Sequence, residues 1–251
     1  FIIRGKEKII LSQEKKISNI LYINSQNDDI TPLQSVITSV SKEGFQSSRT
    51  NAITLNRSIL KFDPINEDLS NINKSYVYRI TVRILGFDIV VPLFILFRAL
   101  GIISDKDILS KIIYDSDPKD LKKYMMELLV PSIKDAQPVF SRKTAMKLLS
   151  LNTKGKEIIN VIDILTNNFM PNYNSDIEKG EMLGYSVRKL LLTRLNIIDE
   201  TDRDSYSFKR IDTAGSLLLE LHRELWGIFQ RNVSLKIDND FKFHFKDFGN
   251  D

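Results

Sequence analysis

Residues 76–101 read YVYRITVRILGFDIVVPLFILFRALG, and they contain the change of period that decides the fold. In the first half, apolar side chains such as Ile80 and Val82 alternate with polar ones, as they do in a half-buried strand. From Val91 the apolar residues recur at helical spacing instead, with Pro92 at a position that the first turn of a helix tolerates. The stretch therefore predicts a strand followed at once by a short buried helix.

The chain on either side of this stretch separates strands from helices. The residues before it contain β-prone runs, with Gly5 as a turn signal, at 1–3, 8–11, 20–23, 35–40, 52–55 and 58–62. The residues after it contain six amphipathic stretches, which predict helices. Three of them begin at Ser104, Asp117 and Ser141, and the other three cover residues 156–169, 180–195 and 212–233. Since strands and helices do not alternate, the fold class is predicted to be α+β. The expected arrangement is a strand-rich N-terminal part, a helical lobe, and a last long helix that returns to a second domain.

Composition excludes several kinds of site. The 251 residues include no Cys and two His, which excludes disulfides and thiolate metal sites and disfavours a His-based zinc site. The formal charge of +4 is too small to indicate nucleic-acid binding by itself. No apolar run approaches the roughly 18 residues of a membrane span, so no membrane association is expected. The phosphate-binding loop, the nucleophile elbow and the zinc-protease motif are missing as well.

The acidic run at residues 199–204 is the one candidate for metal chemistry. A hydrolase or a two-metal site could use such carboxylates. The alternative is a solvated or ion-paired loop between two helices, which is the commoner role of a charged run. We expect the loop.

Four stretches resemble second-largest subunits of multisubunit DNA-directed RNA polymerases of the eukaryotic, archaeal and large-DNA-virus type. Residues 1–15, FIIRGKEKIILSQEK, are similar to the family's FIINGSEKVLIAQE at the junction of its protrusion and lobe. Residues 89–109 resemble the family's IPIVIIFRALG segment, and residues 163–192 resemble its helices around Leu-Pro-His and Leu-Gly-Tyr-Met. Residues 202–218, DRDSYSFKRIDTAGSLL, are similar to DRDHFGKKRLDLAGPLL, where the family's chain returns from lobe to protrusion.

The chain departs from the family pattern at a few positions. Arg4 stands where the family has Asn, which adds a cation and removes a side-chain hydrogen bond from the turn. Asn172 replaces the His of Leu-Pro-His, so no role of that imidazole is transferred. The fourth stretch has Ser205, Ser207 and Phe208 in place of His, Gly and one Lys, and its backbone is expected to differ locally. Arg98 in the second stretch is expected to anchor a neighbouring carbonyl or carboxylate.

The resemblance implies that this chain is an internal piece of a longer subunit and forms part of the DNA cleft. It divides the chain into a protrusion segment with the junction (1–23), the lobe (24–195) and the return to the protrusion (196–251). Nucleotidyl transfer belongs to the whole enzyme, whose Mg²⁺ is held mainly by the largest subunit. This piece is therefore expected to carry no catalytic residue and no cofactor, and to be inactive alone. The implied partners are the largest and smaller subunits, the DNA template, the RNA–DNA hybrid and, on the lobe, initiation factors.

Two basic clusters are expected to contact nucleic acid, because the family fold brings them together. Clustered Lys and Arg neutralise phosphates without reading bases, as sequence-neutral transcription requires. The family equivalent of Lys8 lies near the template strand, and Gln13 follows as a neutral hydrogen-bonding side chain. The predicted contacts are Lys8, Gln13, Lys15, Lys16, Arg203, Lys209 and Arg210. The alternatives are solvated surface charge for each cation, an ion pair of Arg203 with Asp202 or Asp204, or a structural pair of Arg210 with Asp212.

Three other interpretations stay open at this point. The first is a free-standing enzyme that uses the acidic run, the second a non-catalytic scaffold protein that retains a polymerase lobe, and the third a paralogue from a specialised nuclear polymerase. The abundance of Asn, Ile and Lys and the altered fourth stretch favour a large DNA virus as the source. Transcription would then take place in a cytoplasmic factory; a cellular source would place it in the nucleus.

Overall fold

The computed structural model describes residues 1–26, 30–41, 48–59 and 76–247. Contacts between Cα atoms divide the chain into two compact units. We call Ser18–Arg203 the large unit, and Phe1–Ile17 together with Asp204–Asp251 the small unit. Both units mix strands and helices, and the predicted α+β class is confirmed. The domain boundaries expected after residues 23 and 195 stay a prediction for the whole protein.

Apart from β9, which lies between α6 and α7, the elements follow the order expected from the sequence, strands first and helices after. The strands are β1 (Ile2–Ile3), β2 (Lys6–Glu7), β3 (Gln13–Lys16), β4 (Leu21–Ser25), β5 (Leu33–Ser39), β6 (Arg49–Ile59), β7 (Tyr76–Arg83), β8 (Val91–Pro92) and β9 (Lys209–Asp212). The helices are α1 (Leu93–Ala99), α2 (Asp105–Ile112), α3 (Lys119–Asp135), α4 (Arg142–Ser150), α5 (Ile158–Asn167), α6 (Asp176–Arg194) and α7 (Ala214–Asp247).

A five-stranded antiparallel sheet in the order β4-β5-β6-β7-β8 is the framework of the large unit. Every second side chain of β5 is buried, which is the alternation of a strand with one face on a core. Threonines occupy the opposite face, where Oγ1 of Thr54 lies 2.9 Å from Oγ1 of Thr81 across β6 and β7. The sheet therefore presents one apolar face to the helices and one polar face away from them.

Helix α1 lies at the centre of the core of the large unit. All of its residues are buried, as expected for a helix that is apolar all round. Its one charged side chain, Arg98, is 2% exposed. The guanidinium donates to the carbonyl oxygens of Ala136 and Val139, and its Nη2 lies 2.6 Å from Oδ1 of Asp105. The expected anchoring role of Arg98 is confirmed, with carbonyls and a carboxylate both as partners.

Two further polar contacts, one partly buried and one buried, hold α6 in place. Arg188 forms a bidentate pair with Asp117 at 2.5 and 2.7 Å, and its guanidinium carbon lies 4.0 Å from the centre of the Tyr114 ring. The hydrogen bonds from Arg188 hold the pKa of the Asp117 carboxyl below its ordinary value. Lys179 is 2% exposed and donates to the carbonyl oxygens of Leu165 (2.6 Å) and Thr166 (3.1 Å). A cation thus satisfies carbonyls at the C-terminal end of α5, and burial lowers the pKa of that ammonium group.

Some element boundaries differ from the predictions. The strand predicted at 8–11 is wrong, because those residues pair with no strand in the described part of the chain. Helix α6 begins before Gly180, since the Ser175 hydroxyl accepts from the Glu178 backbone N–H at 3.2 Å and caps an earlier first turn. Helix α7 continues beyond residue 233. Of the strand predicted at 58–62, residues 60–62 lie outside the described residues.

The small unit is built from two short ladders and one long helix. Strands β1 and β2 form a hairpin, and β3 pairs with β9, which leads into α7. Large apolar side chains along α7 are exposed, among them Leu225 (55%), Trp226 (52%) and Phe229 (54%). None of the helices in the described ranges has a window long and apolar enough to cross a membrane.

Candidate nucleic-acid interface

Two segments that are far apart in the sequence meet in an antiparallel ribbon of β3 and β9. In its register Lys15 lies opposite Arg210, and Lys16 opposite Lys209. The Ile17 N–H donates to the Phe208 carbonyl at 3.0 Å and extends the ladder by one bond. Four of the cations predicted to contact nucleic acid therefore lie side by side on neighbouring strands.

The pleat of the ribbon sorts its side chains onto two faces. Residues directly opposite each other in an antiparallel pair share a face, and the faces alternate along each strand. The first face carries Gln13, Lys15, Arg210 and Asp212, and the second carries Glu14, Lys16, Lys209 and Ile211. Each face thus holds two of the predicted cations, together with at least one carboxylate.

Lys15 is held by carboxylates on the first face. Its Nζ lies 2.6 Å from Oδ2 of Asp212 and 3.3 Å from Oε1 of Glu220, which α7 supplies. The hydrogen bond to Asp212 raises the pKa of the Lys15 ammonium above its ordinary value. A phosphate would have to compete with two carboxylates for this cation. Lys15 therefore stabilises the ribbon, and its ammonium group is less available to a ligand.

Lys209 is held in the same way on the second face. Its Nζ lies 2.6 Å from Oε1 of Glu14 and 3.9 Å from Oδ1 of Asp204. The hydrogen bond to Glu14 raises the pKa of the Lys209 ammonium. This diagonal pair joins β3 to β9 and, like that of Lys15, reduces the positive charge available to a ligand.

Lys16 and Arg210 remain as the accessible cations of the ribbon. Both side chains are exposed, and within the described residues no carboxylate oxygen lies within 4.0 Å of their nitrogens. The Nη1 of Arg210 donates to the Lys209 carbonyl at 2.7 Å, which orients the guanidinium without neutralising it. Since Lys16 and Arg210 lie on opposite faces, each face presents one cation that is not ion-paired to any residue the structure describes.

Lys8 follows the β1–β2 hairpin and is exposed. Arg4 and Gly5 form the turn with φ of 52° and 74°, the positive values that a tight two-residue hairpin requires. Arg4 thus adopts a left-handed conformation at the position where the family has Asn, which tolerates that conformation better. The Lys8 N–H donates to the Phe1 carbonyl at 2.7 Å and fixes the backbone there, and no ion pair of its side chain occurs among the described residues.

Arg203 belongs to the large unit and is exposed, with no ion pair in the ranges that the structure covers. Gln13 is also exposed, opposite Asp212 at the end of the ribbon. The contact of these side chains with nucleic acid stays a prediction, and the sequence did not indicate that carboxylates hold Lys15 and Lys209. It also missed β9 as a strand and the role of Glu220, because both depend on contacts between distant segments.

The acidic run at 199–204 has a structural role at the edge of the large sheet. Glu200 accepts from the backbone N–H of Ser25 at 2.8 Å and from its hydroxyl at 3.1 Å. Thr201 exchanges hydrogen bonds with the backbone of Ile23 at 2.9 and 3.1 Å. These contacts satisfy the free edge of β4. Within the described residues, no three His, Asp or Glu side chains are grouped closely enough to hold a metal ion.

Comparison with known proteins gives a consistent set of similarities. Residues 66–212 match the family model described as RNA polymerase Rpb2, domain 2. The chain is 30% identical over 237 residues to DNA-directed RNA polymerase II subunit RPB2 of Encephalitozoon cuniculi, covering 90% of this chain and 19% of that protein. It is 31% identical over 245 residues to DNA-directed RNA polymerase II subunit 2 of Arabidopsis thaliana (93% and 19%). Identity to DNA-directed RNA polymerase III subunit RPC2 of Schizosaccharomyces pombe is 22% over 258 residues (96% and 20%). The chain spans about a fifth of the length of these curated relatives.

Proposed function

The chain belongs to the RNA polymerase Rpb2, domain 2, family of second-largest polymerase subunits, and from this membership we propose that it forms part of the DNA cleft during transcription. The observation that carries the proposal is the similarity along nearly the whole chain to polymerase subunits. In this role the chain binds and positions nucleic acid. Nucleotidyl transfer is a property of the complete enzyme, and this part is proposed to be inactive alone.

The proposed contacts with nucleic acid are to phosphates rather than to bases. Lys8, Lys16 and Arg210 are exposed, and none of them is ion-paired within the described residues. Cations of this kind neutralise the backbone without sequence preference. Lys15 and Lys209 are proposed to shape the ribbon that presents Lys16 and Arg210, because carboxylates already hold them. Arg203 and Gln13 keep their proposed role as secondary contacts.

The proposed partners are those of a polymerase subunit: the largest subunit, the smaller subunits, the template DNA and the RNA–DNA hybrid. The Mg²⁺ of the complete enzyme is proposed to be held mainly by the largest subunit. The large unit is proposed to meet initiation factors. With a cellular source the place of action is the nucleus, and with a large DNA virus it is a cytoplasmic factory. The alternative of a non-catalytic scaffold is not favoured, because the relatives named above are all polymerase subunits.

The test is photo-crosslinking in an assembled elongation complex, with a photoreactive residue in place of Lys8. We expect a crosslink to template DNA near the RNA–DNA hybrid. A photoreactive residue in place of Lys123, an exposed cation of α3 in the large unit, is the matched control for non-specific labelling. An active complex without a crosslink from position 8 would refute the contact and leave factor docking as the role of the chain.

A further inference from the structure

The hairpin of α4 and α5 carries an exposed surface that the nucleic-acid contacts leave unused. Helix α4 packs against α5 in the large unit, and the loop that joins them is exposed at Lys154 and Lys156. We call the outward side of this hairpin the α4–α5 face. It comprises Lys143, Lys147, Leu148, Leu151, Lys154, Lys156, Ile158, Ile159 and Ile162, all of them exposed. The face thus combines lysines with large aliphatic side chains.

Helical periodicity brings the exposed residues of α4 onto one side. Lys143, Lys147 and Leu151 are spaced by four residues, so they follow one another along the same side of the helix and its C-cap. Ala145 and Leu149 on the opposite side are buried in the core. The inner side of α4 therefore explains its packing, whereas Leu151 on the outer side is 61% exposed.

Helix α5 is amphipathic, and its apolar stripe is wider than the part that the core covers. Val161 and Leu165 are buried against the core, while Ile158, Ile159 and Ile162 are 46%, 72% and 51% exposed. Single exposed aliphatic residues are ordinary, but a group of three isoleucines beside Leu148 and Leu151 is typical of an interaction site.

The charge of the face selects the kind of partner. In the described part of the chain Lys143, Lys147, Lys154 and Lys156 form no ion pair. The neighbouring Arg142 is already held by Asp176 at 2.7 Å. The carboxylates of the hairpin are Glu157 and Asp163, and Asp163 accepts a hydrogen bond from Asn167 at 2.7 Å. Positive charge therefore predominates on the hairpin as a whole, with four unpaired lysines against two carboxylates.

We propose that the α4–α5 face binds an acidic amphipathic helix of a partner protein. The aliphatic anchors of such a helix would cover Ile158, Ile159 and Ile162, and its carboxylates would lie beside the lysines of the loop and of α4. Nucleic acid fits the face less well, because isoleucines offer no aromatic ring on which bases stack and phosphates would leave the aliphatic area uncovered. The α4–α5 face would then be the surface on which factors dock, through apolar contacts and ion pairs. The proposal rests on the proposed function of the large unit in binding factors.

The test uses a fluorescently labelled synthetic helix with Leu at i, i+4, i+7 and i+11 and Glu at the remaining exposed positions. Its binding is measured by anisotropy to the full-length protein in its native assembly. We expect the Ile159→Ser variant to lose about tenfold in affinity, since an aliphatic side chain buried at an interface contributes about 1.5 kcal/mol. Lys147→Glu combined with Lys154→Glu is expected to weaken binding severalfold, and more strongly at low salt. Ile30→Ser and Lys123→Glu are matched controls at exposed positions of the large unit outside the face.

Several outcomes would overturn the proposal. One is equal binding of a peptide with Gln in place of Glu, and another is unchanged binding to the Ile159→Ser protein. A short single-stranded DNA that displaces the peptide and depends on the same lysines would assign the face to nucleic acid. Circular dichroism of the variants separates a lost contact from a lost fold. A crosslink from position 8 together with absent peptide binding would refute this inference and leave the cleft function standing.

Discussion

Replacement of Gly184 by Ala is expected to destabilise the large unit, although the same change usually stabilises a helix. A Gly-to-Ala change inside a helix ordinarily contributes about 0.5–1 kcal/mol in favour of folding. At Gly184, however, an added Cβ would lie 2.8 Å from both Cβ and the backbone oxygen of Lys111 in α2. Ordinary van der Waals contact begins at 3.4 Å, so the backbone of α2 would have to move away by 3.4 − 2.8, about 0.6 Å.

The magnitude follows from two opposed effects. Overpacking in a rigid core costs about 1–3 kcal/mol, and here the obstructing atoms include backbone, which cannot rotate away. Subtraction of the gain in helix propensity leaves about 0–2.5 kcal/mol. Because backbone atoms obstruct the added Cβ, we expect the upper part of this range, a free energy of unfolding lowered by about 1–2 kcal/mol. For a unit of this size that corresponds to a fall in Tm of about 2–8 °C. A fall in Tm of this size is readily measured by thermal unfolding.

The assay is thermal unfolding of a protein consisting of residues 18–203, with circular dichroism as the signal. Gly180→Ala in the same helix is the matched control. The Cβ added there would meet Cδ1 of Ile102 at 2.4 Å, which is the far end of a side chain that can adopt another rotamer. We expect this control to be nearly neutral. A Gly184→Ala protein as stable as the parent, or more stable, would refute the close approach of α2 and α6.

The remaining predictions concern charge and exposed apolar surface. Asp117→Asn is expected to cost about 2–4 kcal/mol of stability at neutral pH, because it leaves the Arg188 guanidinium without its carboxylate. Since the folded state lowers the pKa of Asp117, its stabilising effect is present above the unfolded pKa of about 3.9 and is lost as pH falls through the lower folded pKa. Urea unfolding between pH 7 and pH 2 checks both statements, and an Asn variant with the parental pH dependence would contradict them. The isolated chain is expected to self-associate through α7, and Leu225→Lys is expected to reduce this in light scattering; a monomeric parent chain would contradict the expectation. In the assembled enzyme, Lys16→Ala and Arg210→Ala are each expected to reduce the slope of log affinity for DNA against log salt by about 1. An unchanged slope in both would remove the ribbon from the list of phosphate contacts.

The structure separates cations that the sequence treats alike. Lys15, Lys16, Lys209 and Arg210 form two basic pairs in the sequence, yet two of the four are held by carboxylates. In each pair one side chain is about half exposed (Lys15 46%, Glu14 52%), so the contribution to stability is small. The main effect of the pairs is to set which side chains remain available. A substitution that weakens nucleic-acid binding is therefore expected at Lys16 or Arg210 before Lys15 or Lys209.

The sequence by itself determined the class of fold and the family. The change of period at residues 76–101 predicted a strand followed by a buried helix, because alternation and helical spacing are properties of the local chain. The family that the four stretches resemble was confirmed by the family match over residues 66–212 and by the similarity of about nine tenths of the chain to polymerase subunits. Caps such as Ser141, whose hydroxyl accepts from the Thr144 backbone N–H at 3.2 Å, were also visible in the sequence.

Only the tertiary structure decided which side chains meet. The pairing of β3 with β9 joins segments about two hundred residues apart, and no local pattern marks Lys209–Asp212 as a strand. The partner of Lys15 on α7 and the contact of Glu200 with the edge of β4 depend on the same long-range packing. Charge and hydrophobic periodicity are properties of the local sequence. Whether one charge neutralises another depends on the distance between them, and only the tertiary structure sets that distance.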